Sequence, residues 1–199
     1  MSQDRARASG LVLPNAIVSA GLLVLIGAAG AGKSTLAAAW PARQVLSLDA
    51  FREMVSDDPC DQDATAAALA ALEAVLVARL AMRRRCVVDA TNTTREERAW
   101  LLAAADATGT AAAALVLRTP LAECLARNAL RPGPLPGREF GRRVPEEVLR
   151  RQFTAVAALT GAGLRDEGFA AAVAATPAAT GWSVDMAPTP LPTASAPAA

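Results

Sequence analysis

Histidine and tyrosine are both missing from the 199 residues. Without histidine there is no Ser-His-Asp triad, no imidazole general base and no imidazole-ligated metal. Acid–base chemistry falls to Asp or Glu, and any metal has to be a hard ion held by oxygen. Cysteine is scarce: Cys60, Cys86 and Cys124 are scattered without paired spacing. That argues against a disulfide framework or a zinc site and fits a reducing compartment. Cys86 and Cys124 lie in apolar runs and read as small core residues. Aromatics are few, three Trp and four Phe, with no obvious platform for stacking nucleobases. The formal net charge is +1, so no overall field draws the chain toward nucleic acid or membrane. An anionic partner needs a local basic cluster.

Lysine is reduced to one residue, Lys33; all other cationic side chains are arginine. Much of the 53% hydrophobic content is alanine, which favours helix but carries little apolar area. The length suits one α/β domain. Residues 1–10 read as a flexible leader, 11–175 as the folded domain and 176–199 as a disordered Ala/Pro-rich tail. The weakly charged stretch Leu11–Gly30 invites comparison with a signal peptide or a membrane span. Its second half, however, is also the strand entering a phosphate loop, which cleavage or insertion would destroy. The chain is therefore expected to be cytoplasmic, with no membrane partner.

Apolar runs mark strands at Leu11–Leu13, Leu22–Ile26, Gln44–Leu48, Cys86–Val88, Ala112–Leu117 and Phe169–Ala175. Helical patterns fall between them, at Ser34–Trp40, from Phe51, over Ala64–Arg85, over Thr94–Ala107, from Thr119–Pro120 to about Leu130, and over Pro145–Leu159. Leu69, Leu72, Leu76 and Leu80 give the long helix its apolar spacing, with Asp63 as N-cap and Arg83–Arg85 as a solvated C-terminal end. Thr94 and Glu97 form a capping box, and Gly109 closes that helix. Strands alternating with helices imply a parallel sheet covered on both faces.

Gly27-Ala28-Ala29-Gly30-Ala31-Gly32-Lys33-Ser34-Thr35 matches the phosphate loop G-x-x-x-x-G-K-[ST] in full. Its glycines let backbone N–H groups surround phosphates, and the helix that follows adds its positive end. Lys33 reaches the β- and γ-phosphates of ATP, and the Ser34 hydroxyl ligates Mg²⁺. Lysine survives where a compact ammonium suits the cradle better than a planar guanidinium. Asp49, at the carboxyl end of a strand, is the candidate general base, and Arg52 lies three residues on to hold an acceptor phosphate. Asp89 ends the next strand as a candidate Mg²⁺-holding acid, with Asn92 beside it to orient acceptor or phosphate. Arg127 and Arg131, four apart on one face of a helix that leads into a Pro/Gly-rich excursion, suit a lid over about 127–144 that neutralises migrating charge. Arg138, Arg142 and Arg143 extend that cluster.

The stretches LLVLIGAAGAGKST (Leu22–Thr35), SLDAFREMVSDDPCDQ (Ser47–Gln62), VVDATN (Val87–Asn92) and ECLARNALR (Glu123–Arg131) stand in an informative order. In that order the chain resembles the kinase module of bacterial polynucleotide kinase-phosphatases of RNA repair. More distantly, it is similar to phage polynucleotide 5′-kinase and the wider AAA-type ATP-binding family. The resemblance implies a P-loop α/β fold with an Arg-bearing lid, and ATP and Mg²⁺ as cofactors. It also implies Asp49 as base, Arg52 on the acceptor phosphate, and Arg127 and Arg131 in the lid. The expected reaction is transfer of the γ-phosphate to a hydroxyl, preferably the 5′-OH of RNA or DNA. A small-molecule hydroxyl (sugar, antibiotic or nucleotide sugar) and an acceptor-independent regulatory ATPase are the alternatives.

Overall fold

The structure is a computed structural model that describes residues 12–133, 141–178 and 181–185. Six strands form one sheet: β1 (Leu22–Ile26), β2 (Val45–Ser47), β3 (Cys86–Asp89), β4 (Ala112–Leu117), β5 (Ala171–Ala178) and β6 (Gly181–Asp185), in the spatial order β2-β3-β1-β4-β5-β6. The first five run parallel and β6 is antiparallel to β5. Strand β1 therefore lies between β3 and β4; the connection after β1 runs toward the β2 edge, and the connection after β3 runs the other way, to β4. Ligands of open α/β sheets gather at the carboxyl end of such a switch point.

β1 is buried at every residue because both its faces are covered. Leu22, Val24 and Ile26 join the core on one face, and Leu23 and Leu25 the core on the other, as a period of two demands. The first core is completed by α4 (Thr65–Ala81), α5 (Arg95–Ala107) and α8 (Gly161–Glu167). The second takes in α1 (Asn15–Ser19), α2 (Lys33–Ala37), α6 (Leu121–Ala129) and Leu149 of α7 (Glu146–Ala157). A further helix, α3 (Leu48–Ser56), follows β2 directly and adds Phe51 to the first core.

Several sequence expectations are revised. Val12 and Leu13 form no strand; Pro14 instead precedes α1. In α4 the buried stripe is Ala68, Leu72, Leu76 and Leu80, while Leu69 is exposed. A spacing of four back from Leu72 selects Ala68, which is fully buried in the first core. Ala64, not Asp63, is the N-cap residue of α4. Arg83 and Arg84 are solvated, but Arg85 turns inward and donates to the carbonyls of Ile17 and Val18, fastening α1 to the sheet. Order also continues past Ala175. Thr176–Ala178 end β5 and Gly181–Asp185 make β6, so the segment read as a tail adds a strand before it leaves the described residues. The Thr94–Glu97 capping box is present, and Gly109 takes the left-handed conformation expected of it (φ +57°). No helix among the described residues is long and apolar enough to cross a membrane.

Candidate nucleotide and acceptor site

Register brings the chemistry together. Leu25 of β1, Ser47 of β2 and Asp89 of β3 are aligned neighbours, so the loops after all three strands emerge on one edge. The loop after β1 is Gly27–Gly32, and it is held from several sides. Gly27 N–H donates to Thr91 O at 3.0 Å, Thr119 Oγ1 to Ala31 O at 2.7 Å, and Arg127 to Gly30 O at 3.2 Å. Gly30 and Gly32 have φ of +79° and +94°. At Gly30 a Cβ would sit 2.5 Å from the Cys124 carbonyl, so only glycine fits there.

Lys33 is buried and its Nζ donates to the carbonyls of Gly27 and Ala28 at 2.8 and 2.9 Å. Burial lowers its pKa to about 8, with Asp89 pulling the other way. Burial also raises the Asp89 carboxyl, opposed by a hydrogen bond from Ser34 and by the charge of Lys33. Ser34 and Asp89 thus form an oxygen pair beside the one lysine. Among the described residues no group of three or more His, Cys, Asp or Glu side chains is placed to hold a metal ion. A hydroxyl and a carboxylate nonetheless suit an octahedral cation that keeps its waters.

A cavity of about 430 Å³ joins this end to Asp49 and Arg52. Asp49 lies in the first turn of α3 and is half-exposed; Arg52 Nη1 donates to its Oδ1 at 2.8 Å and Arg142 to its Oδ2 at 3.5 Å. Arg52 is buried and donates through Nε to Thr65 Oγ1 at 3.0 Å, so α4 fixes its fork. Arg131 also lines the cavity, where burial first and Arg142 second lower its pKa.

Arg127 and Arg131 do not share the one helix face expected of them. Arg127 lies in α6, bonded to Gly30 and paired with Glu123, whereas Arg131 lies beyond the end of α6 and faces the cavity. Helix α6 stops at Ala129, and that separates them. Arg143 donates back to the carbonyls of Ala129 and Arg131, which joins the end of α6 to the segment that leads into α7. Arg138 lies outside the described residues. Asn92 is committed to backbone: with φ of +50°, its Nδ2 donates to Leu25 O at 2.8 Å and Ala90 O at 3.3 Å. Two side chains at the site carry no motif in the sequence. Trp182 of β6 packs over Gly32, its ring 3.2 Å from where a Cβ would stand, with an Arg127 nitrogen at 3.3 Å from the same point. Gln152 of α7 accepts the Ala29 N–H at 2.9 Å. Nothing in either local sequence points to the loop.

Residues 22–159 match the AAA domain family. No curated protein matches the chain. Among solved structures it is similar to a chain of the Pnkp1/Rnl/Hen1 RNA repair complex, at 23% identity and a TM-score of 0.54, over 68% of this chain and 43% of that one. It is also similar to the AvrRxo1-ORF1:AvrRxo1-ORF2 complex with sulphate ions, at 19% identity and a TM-score of 0.58. That match covers 91% of this chain and 63% of the other. The corresponding complex with ATP gives 18% identity, a TM-score of 0.58 and the same coverage. This chain spans less than two thirds of the length of these relatives. At such identities the shared property is the fold.

Proposed function

The chain is a P-loop kinase of the AAA domain family, and from that premise we propose that it moves the γ-phosphate of ATP to the 5′-OH of a polynucleotide. One observation carries the reading. A single cavity joins the phosphate-binding Lys33 and Ser34 to a carboxylate, Asp49, that two guanidiniums flank.

In this reading the loop amides and Lys33 hold the polyphosphate, and the base of ATP lies toward Trp182 and Arg127, where an indole ring and a cation adjoin Gly32. Ser34 and Asp89 would hold Mg²⁺, which when bound neutralises phosphate charge. Asp49 accepts the proton of the attacking hydroxyl. Arg131 and Arg142 meet the charge spread over the transferred group. Arg52, locked by Asp49 and Thr65, offers its fork to a phosphate of the acceptor itself. An acceptor carrying phosphate suits the doubly flanked carboxylate better than an uncharged sugar.

The experiment uses γ-labelled ATP, Mg²⁺ and a 5′-OH oligonucleotide, with Asp49→Ala in parallel. Label on the oligonucleotide that falls by roughly 10²-fold or more in the variant supports the proposal. Phosphate release without labelled oligonucleotide discards the polynucleotide and directs the search to small hydroxyl acceptors.

A further inference from the structure

Gln152 belongs to α7, yet its side chain reaches a loop 123 residues earlier, with Oε1 accepting the Ala29 N–H at 2.9 Å. That bond fixes the orientation of the amide and directs attention to Nε2, which carries two N–H donors. Gln152 lines the same cavity as Lys33, Ser34 and Asp49. Its helix is firmly placed. Asn128 donates to Val144 O at 2.7 Å and accepts from Val144 N at 3.0 Å just before α7 begins, and Leu149 is buried in the core.

The loop has two differently furnished sides. Gly30 and Gly32 adjoin Arg127 and Trp182, whereas Ala29 lines the cavity that contains Asp49. A phosphoryl group about to be transferred has to lie nearest the acceptor, so the terminal phosphate belongs at the Ala29 side.

We infer that Gln152 reads the terminal phosphate of the nucleotide: Oε1 stays on the Ala29 N–H while Nε2 donates to a γ-phosphate oxygen. The inference rests on the kinase reading above and goes beyond it by assigning the residue that separates a triphosphate from a diphosphate. A hydrogen bond to a charged oxygen is stronger than a neutral one. Its loss is expected to weaken ATP about tenfold or more, while ADP, which has no γ-phosphate, is affected less than about twofold.

Direct calorimetric binding of ATP and ADP to the full chain with Mg²⁺ tests this, using Gln152→Glu and Gln152→Ala. Gln152→Glu keeps an oxygen for Ala29 but replaces the donors with negative charge, so it should lose ATP at least as severely as Gln152→Ala. Unchanged thermal unfolding checks that each variant is folded, and Gln152→Glu, being isosteric, keeps the test open if Gln152→Ala is not. Equal losses of ATP and ADP, or no loss of either, overturn the inference and leave Gln152 as a brace for the loop. A wild-type chain that binds neither nucleotide overturns the kinase reading and this inference with it.

Discussion

Lys33 is the residue where sequence, burial and charge meet most sharply. Its ammonium is enclosed by the loop it serves, and burial brings its pKa from the ordinary 10.5 down to about 8. Across that window the unfolded chain keeps a proton that the folded chain has released. Stability of the nucleotide-free protein should therefore rise with pH from about 8 to 10.5 on account of this group. Below that window both states are charged and the folded one bears the full desolvation cost. Urea unfolding at pH values across the window, with Lys33→Met as reference, measures it; the lysine-specific rise should be missing in the variant. A bound polyphosphate reverses the preference, because its negative charge favours the ammonium. Asp49 shows a different environment. It is half-exposed and flanked by Arg52 and Arg142, so the role proposed for it rests on geometry.

At the scale of elements, the β5–β6 hairpin changes the picture most. Pro177 of β5 is aligned with Trp182 of β6, which sets the indole beyond the carboxyl end of the sheet and against Gly32. If the base of ATP lies there, ATP should alter the emission of Trp182, and Trp182→Phe should abolish that response. Trp40 is buried and stays as an internal reference. An unchanged response in the variant would move the base elsewhere. Trp182→Ala is also expected to weaken ATP by about 1–3 kcal/mol, the range for loss of a base-stacking aromatic. Elements also explain why Arg127 and Arg131 take different positions. Helix α6 ends before Arg131, so Arg127 stays with the loop while Arg131 enters the cavity.

For the whole molecule, a net charge of +1 means that any polynucleotide is held by a local patch and not by the overall field. The cavity supplies one in Arg52, Arg131 and Arg142. If, with no ATP present to occupy Arg131 and Arg142, those three each meet a phosphate of a single strand, log affinity should fall with log salt at a slope of about −2. A small hydroxyl acceptor with at most one phosphate gives a slope nearer zero. Titrating oligonucleotide binding across salt concentrations therefore separates the two acceptor classes without measuring turnover. A steep slope retained after Arg131→Ala and Arg142→Ala together would place the strand on another surface.

The amino-acid sequence by itself determined the phosphate loop, the parallel sheet and the capping box at Thr94, because each is a local pattern. Glycine spacing, short apolar runs and side-chain reach within a few residues need no distant partner. It also placed Asp89 at a strand end, since a buried strand stops where charge begins; Asp49 instead lies in the first turn of α3, just after β2 ends at Ser47. The tertiary structure alone decided which side chains from remote segments complete the site. Gln152 meets Ala29 only because α7 docks against the loop's side of the sheet, and Trp182 meets Gly32 only because a strand pairs backward onto β5. The same holds for Asn92, whose amide is taken by the Leu25 carbonyl, and for Arg85, which fastens α1. Such contacts depend on chain crossing and packing, which carry no signature in a run of neighbouring residues.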